Sequence, residues 1–593
     1  MNSEIVRLDF SQPAVAALTL HAARHSNWPV VYVLEERHGT APGPPNGLRD
    51  IYVGESLNAV ARMRQHLKSP QKQHLSNIRI IIDATFNKSV CLDLESYLIQ
   101  MLAGDGAYRV LNRNDGITGS NYYQRDRYRE GFRNIFVKLA EDGVFTRTIP
   151  AIENSDLFRL SPFKALTEDQ ANSVEQIVKG FLADLVRGVQ STIVIQGDPG
   201  TGKTVVAIFM MKLLLDIKSF TALEDLDSDS RFSEFFTEDN QQLLQGLRIA
   251  LVVPQQSLRV SVQKVFKKTP ELDPSMVLTP FEVAEADGQF DLLLVDETHR
   301  LNQRANQSSG GLNAKVTDIT INLFGSDDTS KTQLDWIQAK SRHQVFLLDA
   351  AQSVRPADLP SELLSALAAQ ALESGRYFQL QTQMRVQAGS YFISYIRGIL
   401  NPNRLLVPHV MPNFGDYDFR AFDSVEDMRD EIFHRDAEAG LSRLVAGYAW
   451  KWTKKDKNAL DIRIGPTWLN WNTTSTDWIA SDKSLEEVGS IHTVQGYDLN
   501  YVGVIIGLDL RYSPEQQRLW VSRSSYFDRK GKEQNRKLGR SYSDDDLLRF
   551  ITQIYAVLLT RGIRGTYVYA CDPGLREYLK AFIPSSPRRH VVV

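Results

Sequence analysis

Residues 192–204 read TIVIQGDPGTGKT, and this stretch decides the fold of the chain. A short apolar run at 192–196 is followed at once by the loop GDPGTGKT and then by the helical pattern of 205–215. A strand, a GxxxxGK(S/T) loop and a helix in this order predict a P-loop, in which backbone N–H groups at a helix N-terminus converge on phosphate groups. The residues predicted to bind the phosphates are Gly197, Asp198, Pro199, Gly200, Thr201, Gly202, Lys203 and Thr204.

A second acidic motif supports this prediction. The stretch 291–297, DLLLVDE, has the pattern of a buried strand that ends in the carboxylates of Asp296 and Glu297. In a P-loop ATPase the Thr204 hydroxyl and Asp296 would hold Mg²⁺, while Lys203 would reach the β- and γ-phosphates. Glu297 would orient or deprotonate the attacking water. The predicted cofactors are therefore ATP and Mg²⁺.

Apolar β-like runs alternate with helical segments from residue 166 onward. These runs lie at 192–196, 249–253, 292–295, 345–348, 501–507 and 567–570. The alternation predicts parallel sheets covered by helices on both faces, and so an α/β fold. Residues 1–145 show a smaller pattern of short strands and helices. A polar, proline-punctuated segment at 146–165 separates the two parts, and we predict that it is a linker.

The 593 residues carry a net charge of -3 and only two cysteines, Cys91 and Cys571. Two distant cysteines support neither a disulfide framework nor a cysteine-rich zinc module, so a reducing cytoplasm is expected. The polar N-terminus has no signal-peptide pattern, and no apolar run approaches the roughly 18 residues that a membrane-spanning helix needs. We therefore expect a soluble, cytoplasmic protein.

Six further motifs accompany the P-loop. They are LTEDQ at 166–170, LVVPQQS at 251–257, LLDAAQ at 347–352, QTQMR at 381–385, HTVQGYD at 492–498 and LLTRGIRG at 558–565. With these motifs, residues 160–580 resemble superfamily 1 DNA/RNA helicases of the Schlafen group 3 type. The resemblance implies two RecA-like P-loop lobes, which we expect at 166–375 and 376–593, and an ATP-driven motor that acts on nucleic acid.

The same resemblance assigns residues outside the P-loop to the nucleotide. They are Gln170, Gln352, Arg385, Gly496, Asp498, Arg561 and Arg564. Gln170 would contact the adenine, and Gln352 would sense the γ-phosphate. Arg385 and Arg561 would be catalytic arginines, because two arginines from distant segments stabilise transition-state charge only when two lobes close on ATP. Asp498 stands where the family usually has Glu.

Two charged inserts interrupt the predicted lobes. The first lobe has an acidic insert at 215–240, which we do not expect to approach nucleic acid closely. The second lobe has a basic insert at 523–540, which either tracks phosphates or is a solvated surface loop.

In the N-terminal part, VVY at 30–32 and YVG at 52–54 end two β-like runs. Arg62 and His66 follow, four residues apart on one face of the next helix, and Glu95 lies on a later helix. Phosphodiester cleavage needs a hard cation on a carboxylate, a base near the water and positive charge on the phosphate. These residues supply all three.

Residues 28–125 therefore resemble GIY-YIG nucleases, with VVY in place of GIY and a longer, proline-rich loop between the tyrosines. The resemblance implies that Tyr32 and Tyr52 organise the water nucleophile and that Arg62 binds the scissile phosphate. It also implies that His66 transfers a proton or contacts the phosphate and that Glu95 binds Mg²⁺. Asn112 matches the late structural Asn of that family.

Other interpretations stay open at this point. Tyr32 and Tyr52 could be core residues, or the module could be an inactive nuclease that grips nucleic acid. The aromatic and basic residues of 121–138 could bind a strand or form a packed amphipathic helix. We expect a helicase fused to an endonuclease that acts on DNA in bacterial DNA repair, restriction or phage defence. The alternatives are an RNA target and an ATP-switched nucleic-acid sensor without nuclease activity.

Overall fold

The computed structural model describes most of the chain in thirteen segments. They are residues 3–21, 27–36, 48–113, 121–220, 231–305, 310–349, 355–384, 386–402, 411–453, 459–474, 478–494, 497–535 and 538–587. Three predicted site residues, Gln352, Arg385 and Gly496, lie outside these segments. The chain forms two compact units. The first comprises Met1–Arg187, Val205–Gly246 and Ser261–Met276, and the second comprises Gly188–Thr204, Leu247–Val260 and Val277–Val593.

The first unit contains a five-stranded sheet with the order β1-β4-β2-β3-β5, in which only the β3–β5 pair is parallel. The elements up to residue 187 are β1 Glu4–Asp9, α1 Gln12–His21, β2 Val30–Glu35, β3 Arg49–Ser56, α2 Ala59–His66, β4 Asn77–Ile82, α3 Lys88–Asp105, β5 Tyr108–Val110, α4 Arg125–Glu141, α5 Ile149–Glu153, α6 Asp156–Arg159 and α7 Glu168–Arg187. Every residue of β2 is buried, as expected for a central strand covered on both faces.

The helix α4 is amphipathic and packs its apolar face against the core of the first unit. Phe132, Ile135, Phe136 and Leu139 recur at helical spacing and are buried in the core of the first unit. Residues Arg127 and Arg133 lie on the exposed face. Of the two interpretations of 121–138, the structure agrees with the packed amphipathic helix.

The segment 146–165 contains the short helices α5 and α6 rather than an extended connection. Asp105, at the end of α3, accepts hydrogen bonds from the backbone N–H groups of Thr146 and Arg147 at 3.0 and 2.9 Å. Ser155 Oγ donates to the Gly104 carbonyl at 3.1 Å, and Phe163 is buried in the same core. The polar residues that suggested a linker therefore cap helices and tie them to α3.

A six-stranded, all-parallel sheet lies in the second unit, with the order β11-β6-β10-β9-β7-β8. The elements of residues 191–380 are β6 Ser191–Gly197, α8 Lys203–Lys218, α9 Glu238–Leu244, β7 Ile249–Val252, α10 Gln256–Lys268, β8 Val277–Leu278, α11 Pro280–Glu285, β9 Phe290–Val295, α12 Gly310–Phe324, α13 Gln333–Ala339, β10 Ser341–Leu348, α14 Ser361–Glu373 and β11 Tyr377–Leu380. The P-loop follows β6 at the carboxyl edge of this sheet, where such folds bind ligands.

The second unit also contains a five-stranded parallel sheet, with the order β12-β20-β17-β13-β16, and two separate antiparallel hairpins, β14–β15 and β18–β19. Its elements are α15 Gly389–Ile399, β12 Asp418–Ala421, α16 Val425–Ala439, β13 Ser442–Ala446, β14 Ile462–Ile464, β15 Thr467–Leu469, β16 Val488–Ser490, α17 Ile491–Val494, β17 Leu499–Ile506, β18 Leu510–Ser513, β19 Arg518–Val521, α18 Asp544–Leu559, β20 Gly562–Ala570 and α19 Pro573–Lys580.

The two parallel sheets, preceded by a smaller α/β sheet, confirm the predicted α/β class. Among the helices that the structure describes, none is both long and apolar enough to cross a membrane.

Candidate functional site

The loop 197–204 joins the carboxyl end of β6 to the N-terminus of α8. Gly200 and Gly202 have φ values of 87° and 78°, in the left-handed region that favours glycine. Thr201 Oγ1 donates to the Asp198 carbonyl at 2.9 Å and so fixes the turn. The loop thus closes tightly over the start of a helix, where free N–H groups and the helix dipole favour an anion.

The side chains of Lys203 and Thr204 connect this loop to the neighbouring strand end. Lys203 Nζ donates to the carbonyls of Gly197 at 2.6 Å and Asp198 at 3.1 Å. Thr204 Oγ1 donates to Asp296 Oδ2 at 2.6 Å. The structure therefore brings together the two predicted Mg²⁺ ligands, and a hydroxyl beside a carboxylate is the hard oxygen donor set that Mg²⁺ prefers.

Glu297 lies at the turn that follows β9. Its φ of 48° is in the left-handed region, and its backbone N–H donates to Asp296 Oδ1 at 2.9 Å. His299 Nε2 lies 2.9 Å from Glu297 Oε2. Burial and the adjoining Glu297 carboxylate raise the pKa of Asp296, whereas His299 holds the pKa of Glu297 low although burial opposes it. An ionised Glu297 is the form that can accept a proton from water.

The segment after β11 packs directly on the loop. Gln383 Nε2 donates to the Pro199 carbonyl at 2.7 Å, and the Met384 backbone N–H donates to the Gly200 carbonyl at 2.9 Å. The backbone N–H of Gln387 then donates to the Ile563 carbonyl at 3.0 Å, at the start of β20. The segment that leads to Arg385 is thus fixed to the loop on one side and to the 558–565 motif on the other.

One arginine at this site is not among the residues predicted from the sequence. Arg397, in the last turn of α15, places Nη1 2.8 Å from Asp198 Oδ1 and Nη2 3.8 Å from Asp349 Oδ1. No motif marks it; the available signal was a basic residue at the end of an otherwise apolar helix directly after 381–385. Because α15 packs in the core of the second parallel sheet, Arg397 connects that sheet to the P-loop.

The other described residues predicted to bind the nucleotide lie in different elements of the fold. Arg561 is buried between α18 and β20, and its Nη1 donates to the Tyr497 carbonyl at 3.4 Å, next to Asp498 in sequence. Arg564 is exposed in β20. Gln170 is buried in α7 of the first unit, where its Oε1 accepts from the Thr167 backbone N–H at 3.0 Å. The structure thus places Arg561 beside the Asp498 motif.

The basic insert packs across the two parallel sheets. Its Asn535 Nδ2 donates to the Arg304 carbonyl at 2.8 Å, close in sequence to Glu297. Arg355 donates to His492 Nδ1, and His492 Nε2 lies 2.8 Å from Asp528 of the insert. The ion pairs Arg523–Asp544 at 2.7 Å and Lys530–Glu533 at 2.8 Å neutralise part of its charge. The insert therefore links the two sheets rather than projecting as a solvated loop over its described residues.

In the first unit, the predicted nuclease residues form one cluster. Tyr32 Oη lies 2.7 Å from His66 Nε2, and the Tyr52 ring centroid lies 5.3 Å from that of His66. The Arg62 guanidinium is close enough to both tyrosine side chains to interact with them. Glu95, on α3, is close enough for its charge to raise the pKa of Tyr32. Tyr32, Tyr52, Arg62 and His66 therefore lie together, with Glu95 within electrostatic range.

Lys72 is a further member of this cluster that the sequence did not indicate. Its Nζ lies 3.3 Å from His66 Nδ1 and 3.7 Å from the centroid of the Tyr52 ring. Burial, together with Lys72 and Arg62, lowers the pKa of His66 from 6.5 to about 2. Burial also raises the pKa of Tyr32 well above 10.0. Both side chains are therefore neutral at physiological pH.

Two residues of the predicted motifs position the cluster. A Cβ at Gly54 would lie 2.2 Å from Tyr32 Oη, so only glycine leaves room for the tyrosine hydroxyl on the adjacent strand. The Asn112 side chain accepts from the Val53 backbone N–H at 3.1 Å and donates to the Val53 carbonyl at 2.8 Å. Asn112 therefore closes the edge of β3 beside Gly54.

Within the described segments, no group of three or more His, Cys, Asp and Glu side chains is arranged to hold a metal ion. Mg²⁺ needs fewer protein ligands than such a group, since it keeps several waters and binds through one or two carboxylates. Asp296 with Thr204, and Glu95 alone, fit that requirement.

Most of the chain matches a known protein family. Residues 190–572 match the family described as Schlafen group 3, DNA/RNA helicase domain. An uncharacterized protein of Saccharomyces cerevisiae, YPL245W, is 25% identical over 414 residues, which are 65% of this chain and 83% of the yeast protein. The crystal structure of Arterivirus nonstructural protein 10 (helicase) aligns at 13% identity with a TM-score of 0.26, over 66% of this chain and 62% of that chain.

Proposed function

Because the chain belongs to the Schlafen group 3 DNA/RNA helicase family, we propose that residues 166–593 form an ATP-driven motor that moves along nucleic acid. The observation that carries this proposal is the contact of Thr204 with Asp296 at 2.6 Å, with Lys203 in the same loop. These groups would hold Mg²⁺ and the phosphates of ATP, and Glu297 would accept a proton from the attacking water.

The coupling of hydrolysis to movement would run through the segments that meet the loop from the second sheet. Gln383 and Met384 contact the loop directly, and Arg397 pairs with Asp198. Hydrolysis of the γ-phosphate would therefore move the elements of the second sheet that contact the loop. The same sheet also carries Arg561. We propose DNA as the substrate, with RNA as the alternative.

We further propose that residues 28–125 form an Mg²⁺-dependent endonuclease of GIY-YIG type. The cluster of Tyr32, Tyr52 and His66 with Arg62 supports this proposal, because a guanidinium beside polarised hydroxyls suits a phosphodiester and an attacking water. Glu95 would bind the Mg²⁺. The motor would then present strands for cutting, in a setting of DNA repair, restriction or phage defence.

One experiment separates these proposals. Single-stranded, duplex and forked DNA and matched RNA are incubated with Mg²⁺, with and without ATP, and with wild type, Lys203→Ala or Glu95→Ala protein. We expect ATP turnover and strand displacement to be lost in Lys203→Ala, and cleavage to be lost in Glu95→Ala. ATP-dependent changes in affinity without displacement or cleavage would instead identify an ATP-switched sensor.

A further inference from the structure

The hairpin β14–β15 lies outside both parallel sheets and has two different faces. Ile462, Ile464 and Leu469 point into the hydrophobic core. The opposite face carries Arg463 and Trp468, which are direct cross-strand partners. The Arg463 guanidinium lies 4.8 Å from the centroid of the Trp468 ring, and Trp468 is 48% exposed. The strand pair thus presents a half-exposed aromatic side chain with a guanidinium over its ring.

An aromatic row anchors this hairpin to a motif of the motor. Trp471, two residues after β15, is 2% exposed and stacks on Tyr448 and Trp452 with ring centroids 5.7 Å apart in each pair. The Tyr448 ring lies 6.0 Å from the ring of His492. His492 begins the 492–498 motif, one of the motifs by which residues 160–580 resemble helicases. The rings therefore form a continuous series from that motif to the base of the hairpin.

Two basic side chains lie near the aromatic row and the hairpin. Lys451 is exposed beside Trp452. Asp461 is engaged by the backbone N–H of Thr453 at 2.7 Å. Arg463 adds a further positive charge at the Trp468 ring.

The other hairpin, β18–β19, provides a contrast within the same unit. Arg511 lies 5.2 Å from the centroid of the Trp520 ring, which is 38% exposed, so the local arrangement is nearly the same. Its surroundings, however, contain the acidic start of α18. Asp545 pairs with Arg518 at 3.1 Å, and Asp544, the first residue of the same helix, pairs with Arg523 at 2.7 Å. The carboxylates beside this hairpin make it less suited to a phosphate backbone.

We propose that Arg463 and Trp468 form a stacking site for single-stranded nucleic acid, in which a base lies on the indole ring and a phosphate contacts the guanidinium. Stacking of bases on aromatic side chains is tolerant of sequence and is reinforced by arginine. The inference rests on the proposed function, since it gives the proposed motor a contact with the strand.

The test measures binding of fluorescent dT20 and U20 to the full-length protein by anisotropy. We expect Trp468→Ala to raise Kd at least about fivefold, the lower end of the range for loss of one stacked base. Trp468→Phe should restore most of the affinity, because it keeps an aromatic face. Trp520→Ala is the matched control and should change Kd by no more than about twofold, as is usual for surface substitutions.

Basal ATP turnover without nucleic acid checks that each variant is folded. If Trp468→Ala is folded and binds both strands as tightly as wild type, this site does not exist, although the motor proposal stands. Equal weakening by Trp468→Ala and Trp520→Ala would also overturn it, because the effect would then be a general one of the hairpins. If wild type itself binds neither dT20 nor U20, the motor proposal fails, and this inference fails with it.

Discussion

The nucleotide loop and the N-terminal tyrosine cluster assemble their polar groups in different ways. In the cluster, Tyr32 and His66 hydrogen-bond across 34 residues of one small sheet-and-helix motif. At the loop, the partners come from strands and helices far apart in the chain. The separations are 92 residues for Thr204 and Asp296, 184 for Pro199 and Gln383, and 199 for Asp198 and Arg397. The loop site therefore depends on the whole fold of the second unit, whereas the cluster depends on a local one.

The two sites also differ in charge. His66 and Tyr32 are fully buried and are held neutral, since burial dominates both pKa shifts. At the loop, Glu297 is only partly buried, and His299 keeps its carboxylate ionised. At neutral pH the loop therefore presents an ionised carboxylate, whereas Tyr32 and His66 of the cluster are neutral beside the Arg62 guanidinium.

The largest effect is expected at the loop. Glu297→Gln keeps the shape of the side chain but removes its basicity, so kcat for ATP hydrolysis should fall about 1,000-fold, within the range for loss of a general base. Steady-state ATPase assays measure this. Asp291→Asn, at the other end of β9, is the control, because Asp291 Oδ2 accepts from the Arg248 backbone N–H at 2.8 Å, at the end of the strand remote from the loop. Retention of a tenth or more of the activity in Glu297→Gln would remove Glu297 from the mechanism.

At the cluster, Glu95→Ala should lower the cleavage rate about 100-fold or more, because the proposed Mg²⁺ ligand is lost. ATP turnover should not change, because the two sites are assembled from different parts of the chain. The control is Asp93→Asn on the same helix, whose carboxylate pairs with Arg125 at 3.0 Å and accepts from the Tyr122 hydroxyl at 3.0 Å. Loss of ATP turnover in Glu95→Ala would show that the sites are not separable.

The contrast between the sites explains how much of each could be predicted from sequence. The loop, Asp296 and the parallel sheets were predictable because glycine positions, strand ends and buried apolar runs are dictated by local chemistry. Arg397 was not, because its role depends on the packing of α15 against the second sheet. Lys72 was missed for a similar reason, since it lies in a turn whose direction no periodicity specifies.

Some sequence patterns gave a different structure from the one expected. The polar composition of 146–165 predicted a linker, but Ser155 and the acceptors on Asp105 cap and bind short helices there. Composition alone does not distinguish polar residues that meet solvent from polar residues that satisfy helix ends. The domain boundaries at 145 and 165 remain a prediction.

Acid should destabilise the N-terminal tyrosine cluster through His66. His66 protonates with a pKa of 6.5 when unfolded but of about 2 when folded, so the unfolded state binds an extra proton between these values. The contribution of His66 to the free energy of unfolding is therefore fully present above pH 6.5. Below that pH it falls by about 1.4 kcal/mol per pH unit, so that about 2 kcal/mol is lost at about pH 5. Hydrogen exchange of β2 and β3 amides at pH 7 and pH 5 measures this. His66→Gln should show a correspondingly weaker pH dependence, and an unchanged one would mean that His66 titrates normally in the folded protein.

The smallest effect is expected at Arg397, and it tests the idea that the loop site depends on distant elements. The Arg397–Asp198 pair is partly exposed, so its loss should lower kcat/KM for ATP only about fivefold, in keeping with the modest energies of such pairs. Arg397→Ala and Asp198→Asn should each have this effect, and the double variant should be little worse than either, because both remove the same contact. Arg397→Lys keeps the charge but cannot form the same pair of contacts with Asp198 and Asp349, so we expect an intermediate rate. A 100-fold or larger loss of kcat/KM in Arg397→Ala, with Asp198→Asn near wild type, would instead place Arg397 on the phosphates of ATP. The second sheet would then supply a catalytic arginine that lies outside the recognised motifs.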